Sequence, residues 1–89
     1  MEAYKVIEYK NPITKALQEL GGTGTSEKIY SIVIDKYIKL NDEDLRRIEH
    51  KSKIINYTIS RIRFSWALVR LQKEKSIQKV KPKIYQLLI

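Results

Sequence analysis

The sequence has no cysteine and only one histidine, His50, and these absences exclude several kinds of chemistry. Without cysteine there is no disulfide, thiolate metal ligand or cysteine nucleophile, and one histidine cannot build a histidine-based metal site. Long apolar runs are also absent, and charged residues interrupt the N-terminal segment MEAYKVIEYKNP, so we expect neither a membrane-spanning helix nor a signal peptide. These absences favour a soluble, intracellular and cytoplasmic protein without redox chemistry, zinc or another cofactor.

The chain is also short, and its length limits its organisation. Eighty-nine residues, of which 43% are hydrophobic, suffice for one domain with its own core and leave no room for a second. We therefore predict a single domain over residues 1–89. Residues 1–10 fit neither a helical nor a strand period cleanly, so we assign them to an N-terminal arm whose structure the sequence leaves open.

Acidic residues are scarce in the C-terminal half. Residues 51–89 hold ten basic side chains against Glu74 alone, a formal charge of +9, whereas residues 1–50 hold eight basic and nine acidic side chains, or −1. A one-sided basic surface attracts a polyanion, and the dominant intracellular polyanions are nucleic acids. The alternative is a solvated, lysine-rich face without a ligand.

Two amphipathic helices are predicted near the N-terminus. Asn11 as N-cap and Pro12 at the first helical position start a helix over residues 12–20, and Gly21-Gly22 ends it. A second helix runs from a cap at Ser26 to about residue 39.

A short polar helix is predicted next. Asn41 and Asp44 have the spacing of a capping box, which favours a helix over residues 42–49, anchored by Leu45 and Ile48. Four consecutive polar residues then break the apolar period, so residues 50–53 are predicted to form a basic linker.

The longest periodic stretch, residues 55–73, predicts a helix without glycine or proline. At about 100° per residue this helix has two apolar faces, which is typical of a helix at the centre of a bundle or at a dimer interface. We expect the first face to lie in the core, with Trp66 buried; it holds Ile55, Ile59, Ile62, Trp66 and Val69. The opposite face is the candidate homodimer interface, with Tyr57, Phe64, Leu68 and Leu71.

Two β-type runs, residues 76–80 and 84–88, flank Lys81-Pro82-Lys83 and predict an antiparallel hairpin. Three to four helices followed by a two-stranded wing hairpin is the element order of a winged helix-turn-helix domain. In that fold the last helix can enter the major groove while the hairpin contacts the phosphates. The predicted fold class is therefore α+β, a winged helix-turn-helix.

Four segments of the chain resemble one known family. They are residues 12–22 (PITKALQELGG), 26–29, 40–44 and 63–73 (RFSWALVRLQK). The last is the most specific, because it matches an Arg-x-x-Trp-Ala-x-x-x-Leu pattern. Over residues 12–88 the chain is similar to the N-terminal domain of Mrr-type restriction endonucleases, and the resemblance implies a winged-helix DNA-binding domain.

The chain departs from that family at two turns and in its extent. The family usually has glycine at the position of Lys75, and its wing tip often carries Arg-Gly where this chain has Lys81-Pro82-Lys83. A lysine in left-handed geometry costs about 1 kcal/mol, so we expect the turn after the long helix to be built differently. Because the sequence ends at Ile89, we expect a stand-alone protein without the family's nuclease domain and cleavage activity.

The predicted DNA contacts lie on the linker, the long helix and the hairpin. Lysines of the linker and hairpin are assigned to phosphates, whereas Asn56 and Ser60, near the start of the helix, are assigned to base edges. The full set is Lys51, Lys53, Asn56, Ser60, Arg63, Arg70, Lys73, Lys79, Lys81 and Lys83.

The leading functional prediction is binding of double-stranded DNA, directed by base sequence or modification, by a transcription regulator or the targeting part of a restriction system. The alternative is a protein-interaction module that forms a homodimer, or binds another partner, through the long helix. RNA binding is a third interpretation, disfavoured because few aromatic residues accompany the basic ones.

Catalysis is not expected. Glu49-His50-Lys51 and Glu8-Tyr9-Lys10 fit half of a nuclease motif, but such a motif needs carboxylates on adjacent strands around Mg²⁺. We predict no enzyme, no metal, no small-molecule substrate and no membrane partner.

Overall fold

The structure, a computed structural model, describes residues 6–50 and 53–88, and for residues 47–50 and 53–57 it describes the backbone only. A helical turn at residues 6–8 precedes the regular elements. These are α1 (Lys10–Glu19), β1 (Thr23–Thr25), α2 (Ser26–Ile32), β2 (Arg47–His50), β3 (Lys53–Thr58), α3 (Ile59–Lys73), β4 (Ile77–Lys81) and β5 (Ile84–Leu87).

Helix α1 lies close to its predicted position but begins differently. Its N-cap is Tyr9, which makes no side-chain capping bond, and Asn11 lies inside the first turn, so the prediction of Asn11 as the cap is wrong. The end is as predicted, because Gly21 has a φ of 81°. Gly22 N–H donates to Leu17 O at 2.7 Å and Gly21 N–H to Gln18 O at 3.1 Å, the two bonds of a Schellman motif.

Helix α2 is capped by Thr25 rather than by Ser26. The Thr25 hydroxyl accepts a bond from Lys28 N–H at 3.2 Å, which satisfies one of the free amides of the first turn. The helix continues as a π-helical turn over Val33–Tyr37. That turn ends where Ile38 N–H donates to Val33 O at 2.9 Å, slightly before the predicted end of the helix.

The predicted short helix over residues 42–49 is wrong, although its capping box is present. Asn41 N–H donates to Asp44 Oδ2 at 3.0 Å, and Asp44 N–H donates to Asn41 Oδ1 at 2.9 Å. This box closes a single turn, after which β2 begins at Arg47 and pairs antiparallel with β3. Leu45, the predicted anchor, is exposed.

The long helix therefore begins at Ile59, four residues later than predicted. Thr58 caps it, its hydroxyl accepting a bond from Arg61 N–H at 3.3 Å. Two more amides at this end are satisfied by the preceding turn, because Ile59 N–H donates to Arg46 O and Ser60 N–H to Asp44 O, both at 2.9 Å. The segment KIINYT is rich in β-branched and aromatic residues, and this composition favours the strand that replaces the first predicted helical turn.

Helix α3 ends in the same motif as α1, but with lysine in the place of glycine. Ser76 N–H donates to Leu71 O at 2.9 Å, Lys75 N–H donates to Gln72 O at 3.1 Å, and Lys75 has a φ of 62°. The expectation of a differently built turn is wrong. The hydrogen bonds and the packing on either side hold the lysine in the left-handed region at a cost of about 1 kcal/mol.

The predicted hairpin is present, and it belongs to a three-stranded antiparallel sheet with the order β1-β5-β4. Strand β4 pairs with β5 around Pro82 and Lys83, with a register shift between Lys79 and Lys81. Strand β1, in the segment between the two predicted N-terminal helices, was not predicted; it pairs with the other edge of β5 from Thr23↔Gln86 to Thr25↔Ile84. The described residues thus form an α+β fold of three α-helices, this sheet and the smaller β2–β3 pair.

The core contains one face of each helix and the inner face of the three-stranded sheet. Its buried members are Val6, Tyr9, Ile13, Ala16, Leu17, Ile29, Val33, Phe64, Ala67, Leu68, Leu71, Ile77 and Tyr85. Tyr30 packs against Phe64 edge to face, with ring centroids 5.0 Å apart. None of the helices within residues 6–50 and 53–88 has the length and apolar character needed to cross a membrane.

The two apolar faces of the long helix are exchanged relative to the prediction. Phe64, Leu68 and Leu71 are buried, whereas Trp66 is 59% exposed and Val69 is 38% exposed. The prediction that Trp66 lies in the core is wrong. The buried face is the one whose polar residues have partners within the fold, because Ser60 meets the Tyr9 and Tyr30 hydroxyls and Arg63 meets Asp44.

Candidate nucleic-acid interface

The β4–β5 hairpin carries exposed lysines on a firmly attached base. Lys79, Lys81 and Lys83 are all exposed, and residues 75–89 contain no acidic side chain. Lys83 takes a φ of 65° in the turn that joins the two strands. The hairpin therefore presents three ammonium groups to solvent within five residues.

Main-chain and side-chain contacts fix the hairpin to the rest of the fold. Ser26 N–H donates to Lys83 O at 2.8 Å, so the turn of the hairpin adjoins the start of α2. Tyr85 is buried in the core, and Leu87 N–H donates to Gly22 O at 2.7 Å at the other end of β5. A hairpin fixed at both ends of β5 holds its lysines in a defined position relative to α2 and α3.

The outer face of α3 continues the basic surface. Trp66, Val69, Arg70 and Lys73 are exposed, and together with Glu74 they line one open groove. Glu74, the only acidic residue that lines the groove, forms an ion pair with Lys10, whose Nζ lies 2.5 Å from Glu74 Oε2. Because Lys10 neutralises Glu74, Arg70 and Lys73 leave the groove with a net positive charge.

Arg61 is held in a contact with α2. Its guanidinium donates to both carboxylate oxygens of Glu27, at 2.6 and 3.2 Å, and lies over the Tyr30 ring at 4.5 Å. The bonds from Arg61, followed by its charge, lower the pKa of the Glu27 carboxyl. The pair leaves Arg61 with little capacity for a phosphate.

Ser60 and Arg63 are buried, which contradicts their assignment as DNA contacts. The Ser60 hydroxyl lies 2.7 Å from Tyr9 Oη and accepts a bond from Tyr30 Oη at 2.9 Å. Arg63 donates to Asp44 Oδ1 at 2.7 Å, and the whole residue is only 4% exposed. Both side chains face the interior, where they join α3 to the N-terminal segment and to the turn before β2.

Three of the four residues of the predicted homodimer interface are also buried. Phe64, Leu68 and Leu71 lie in the core of the protomer and have no surface to offer a second copy. The prediction for these three residues is wrong, and the fourth, Tyr57, has a side chain outside the described residues. The spacing of Phe64, Ala67, Leu68 and Leu71, at i, i+3, i+4 and i+7, is compatible with a core face, but the opposite face with Ile62, Trp66 and Val69 has helical spacing as well, so periodicity alone does not choose between them.

The remaining candidates lie at the β2–β3 hairpin. Lys51 lies outside the described residues, and so do the side chains of Lys53 and Asn56, whose backbones belong to β3. Of the predicted DNA contacts, the structure therefore brings together Lys79, Lys81 and Lys83 on one hairpin, and Arg70 and Lys73 on one helix face.

Metal chemistry finds no support in the described part of the chain. No group of three histidine, cysteine, aspartate or glutamate side chains with the arrangement of a metal site occurs there.

Comparison with protein-family models, with curated proteins and with solved structures finds no match. The resemblance to the N-terminal domain of Mrr-type endonucleases therefore stays a prediction.

Proposed function

We propose that this chain is a winged-helix protein that binds double-stranded DNA and has no catalytic role of its own. The observation that carries the proposal is the lysine-bearing hairpin directly after α3, with Lys79, Lys81 and Lys83 exposed and no acidic residue in the sequence 75–89. Glu27, the acidic residue near Lys83, is already paired with Arg61. The strand order β1-β5-β4 and the position of the hairpin after the last helix are those expected of a winged helix.

The proposed mode of binding uses α3 and the hairpin together. The major groove, about 12 Å wide, admits a helix. Arg70 and Lys73, exposed on one side of α3, would contact base edges or phosphates there. The hairpin would lie against the flanking backbone, where lysines act as point charges for phosphate oxygens. Such a protein acts as a transcription regulator or directs a restriction system to its site.

Salt dependence gives the proposal a quantitative form. The exposed basic side chains of α3, the following turn and the hairpin are Arg70, Lys73, Lys75, Lys79, Lys81 and Lys83. If each neutralises one phosphate, the logarithm of the binding constant should fall against the logarithm of salt concentration with a slope of about −5.

The test is fluorescence anisotropy of a labelled duplex at several salt concentrations, with a charge-matched pair of variants. Lys81→Glu plus Lys83→Glu should weaken binding to all sequences alike and reduce the slope to about −3.6, since two of the six phosphate contacts are lost. Lys15→Glu plus Lys39→Glu makes the same change in net charge on exposed residues outside α3 and the hairpin. Equal effects of the two pairs would contradict the proposed interface and leave only a general attraction between charges.

The alternative function, a protein-interaction module, retains one favourable observation. Trp66 and Val69 are exposed beside each other on α3, although the residues first assigned to a homodimer are buried. A mass measurement in solution tests it, since a homodimer has twice the 10.5 kDa of the chain and Trp66→Glu should return it to a monomer.

A further inference from the structure

We propose that Trp66 is a stacking site for one unpaired base, so that the protein prefers a duplex with an unpaired base over a continuous duplex. This inference rests on the proposed DNA binding and adds a specificity to it. It starts from an unusual feature of α3, since the only tryptophan of the chain is 59% exposed while the only phenylalanine, two residues before it, is 1% exposed.

The surroundings of Trp66 are those of a nucleic-acid site rather than of a bare apolar surface. Arg70 and Lys73 follow it by four and seven residues, which places all three on one side of the helix. They line the same open groove, and the acidic Glu74 at its end is paired with Lys10. An aromatic ring with cations beside it is the combination that single-stranded nucleic acids require, the ring for the base and the cations for the backbone.

The groove fits a base better than it fits a helix of another protein. A docked helix needs apolar anchor sites that continue along the surface at a spacing of three to four residues. Among the described residues that line the groove, the apolar side chains are Trp66 and Val69, and the series along α3 ends at Lys73 on one side and at the half-buried Ile62 on the other. Two apolar residues form too small a patch for the core of a stable protein interface.

The base must be unpaired because of geometry. A side chain on a helix in the major groove meets the edges of base pairs, whereas the faces of paired bases are covered by their neighbours in the stack. An indole ring stacks on a base only when that base has left the stack, and a mismatched or already unpaired base leaves it at the lowest cost. A duplex with one bulged thymine therefore offers two binding surfaces. Its double-helical part can contact α3 and the hairpin, and the exposed face of the bulged thymine can stack on Trp66.

The experiment uses the emission of Trp66, which is the only tryptophan signal of this chain. The probes are a continuous duplex, the same duplex with one extra unpaired thymine, and an oligothymidine of equal length. We expect the bulged duplex to quench the emission and to bind about 5- to 100-fold more tightly than the continuous one, since stacking of one base has that value. Quenching that is equal for both duplexes, with equal Kd values, would overturn the inference.

Variants separate stacking from other effects. Trp66→Ala should reduce the ratio of the two Kd values to about one, and Trp66→Phe should restore part of it because phenylalanine also stacks. Leu45→Ala, which removes another exposed apolar side chain that does not line the groove, should leave the ratio unchanged. An unchanged ratio in Trp66→Ala would show that the ring takes no part.

The outcomes also distinguish this inference from the proposed function. If the parent binds the continuous duplex with the expected salt slope but shows no preference for the bulge, only the stacking site fails. If the parent binds none of the three probes at low salt, DNA binding fails and the inference fails with it. A Trp66 emission that changes with protein concentration in the absence of DNA, together with a doubled mass of the protein in solution, would show that the groove binds a second copy of the chain. That result would overturn the inference.

Discussion

The two sides of α3 differ in a way that composition does not reveal. The inner side holds Phe64, Leu68 and Leu71 in the core, yet it also holds the polar Ser60 and the charged Arg63. The outer side holds the largest apolar side chain of the protein, Trp66, in contact with solvent. The comparison teaches that a polar residue is accepted in the interior when it has a partner there, and that an apolar residue is not buried merely because it is large.

The partners of the inner polar residues explain why burial is tolerated. Ser60 lies within hydrogen-bond distance of two tyrosine hydroxyls, and Arg63 has the carboxylate of Asp44 at 2.7 Å. A buried polar group without a partner costs about 1–3 kcal/mol, and these contacts avoid that cost for Ser60 and for one terminal nitrogen of the Arg63 guanidinium. Among the described residues, Arg63 Nε is buried without a hydrogen-bond partner. The outer side has no such internal partner for Arg70 or Lys73 among the described residues, which leaves them available to a ligand.

The sharpest test of the comparison replaces the two aromatic residues of α3 one at a time. Phe64→Ala should lower the free energy of unfolding by about 3–5 kcal/mol, because it removes a fully buried ring and leaves a cavity. Trp66→Ala should change it by about 0.5 kcal/mol or less, as at other exposed positions. Urea denaturation of both variants measures this difference. A larger loss of unfolding free energy in Trp66→Ala than in Phe64→Ala would mean that the face with Trp66 is the buried one.

A second test concerns the charge on the inner side. Asp44→Asn keeps the size of the side chain and an oxygen for Arg63 but removes the negative charge, so the buried guanidinium keeps only its longer contact with the exposed Glu43 carboxylate, at 4.0 Å. We expect a loss of about 3 kcal/mol in the free energy of unfolding. Glu43→Gln is the matched control, because its carboxylate is exposed and lies 4.0 Å from Arg63. Equal small losses in both variants would mean that the Asp44 charge does not stabilise the buried arginine.

A third test uses the turn at which α3 passes into the hairpin. Lys75→Gly should raise the free energy of unfolding by about 1 kcal/mol, because glycine adopts the left-handed φ of 62° without the steric cost of a Cβ atom. The same change at Lys79, in strand β4, should be destabilising, since glycine there has no conformational advantage. Thermal denaturation of the two variants gives the sign of each effect, and a loss of stability in Lys75→Gly would contradict the stated cost.

The smallest expected effect is a pH dependence from the inner side. Burial raises the pKa of the Tyr9 hydroxyl above its ordinary value of 10.0. Unfolded tyrosine therefore loses its proton first, so the contribution of Tyr9 to stability is complete below pH 10 and is lost as the pH rises through the raised pKa.

Tyr9→Phe should make the alkaline decline in unfolding free energy shallower, although the variant loses a hydrogen bond and starts from a lower value. Part of the decline should remain, because burial also raises the pKa of Tyr85. The slope of stability against pH is the quantity to compare between parent and variant. Identical slopes would mean that the Tyr9 hydroxyl ionises in the folded protein as readily as in the unfolded chain.

Much of the architecture could be predicted from local sequence signals. The Gly21-Gly22 stop, the helical period of α1 and the hairpin around Pro82 act over a few residues, so their structural effects do not depend on distant parts of the chain. The capping box of Asn41 and Asp44 also forms as predicted. A capping box, however, closes only one turn, and it does not determine whether a helix follows.

The concentration of lysine in the hairpin could likewise be predicted, since charge along a chain is a property of the sequence alone. Lys79, Lys81 and Lys83 are exposed because the buried part of β4 ends at Ile77, and all of residues 78–83 are exposed. These residues form the part of the candidate site that sequence reasoning identifies without the fold.

Only the tertiary structure decided which face of α3 is the core and which residues reach solvent. Both faces carry apolar residues at helical spacing, so local periodicity permits either assignment. The choice depends on what packs against the helix, because Tyr9, Tyr30 and Asp44 come from distant parts of the chain and satisfy Ser60 and Arg63 on one side only. The sequence by itself determined the α+β content and the basic C-terminal half, whereas long-range packing placed Trp66, Arg70 and Lys73 together on the outside.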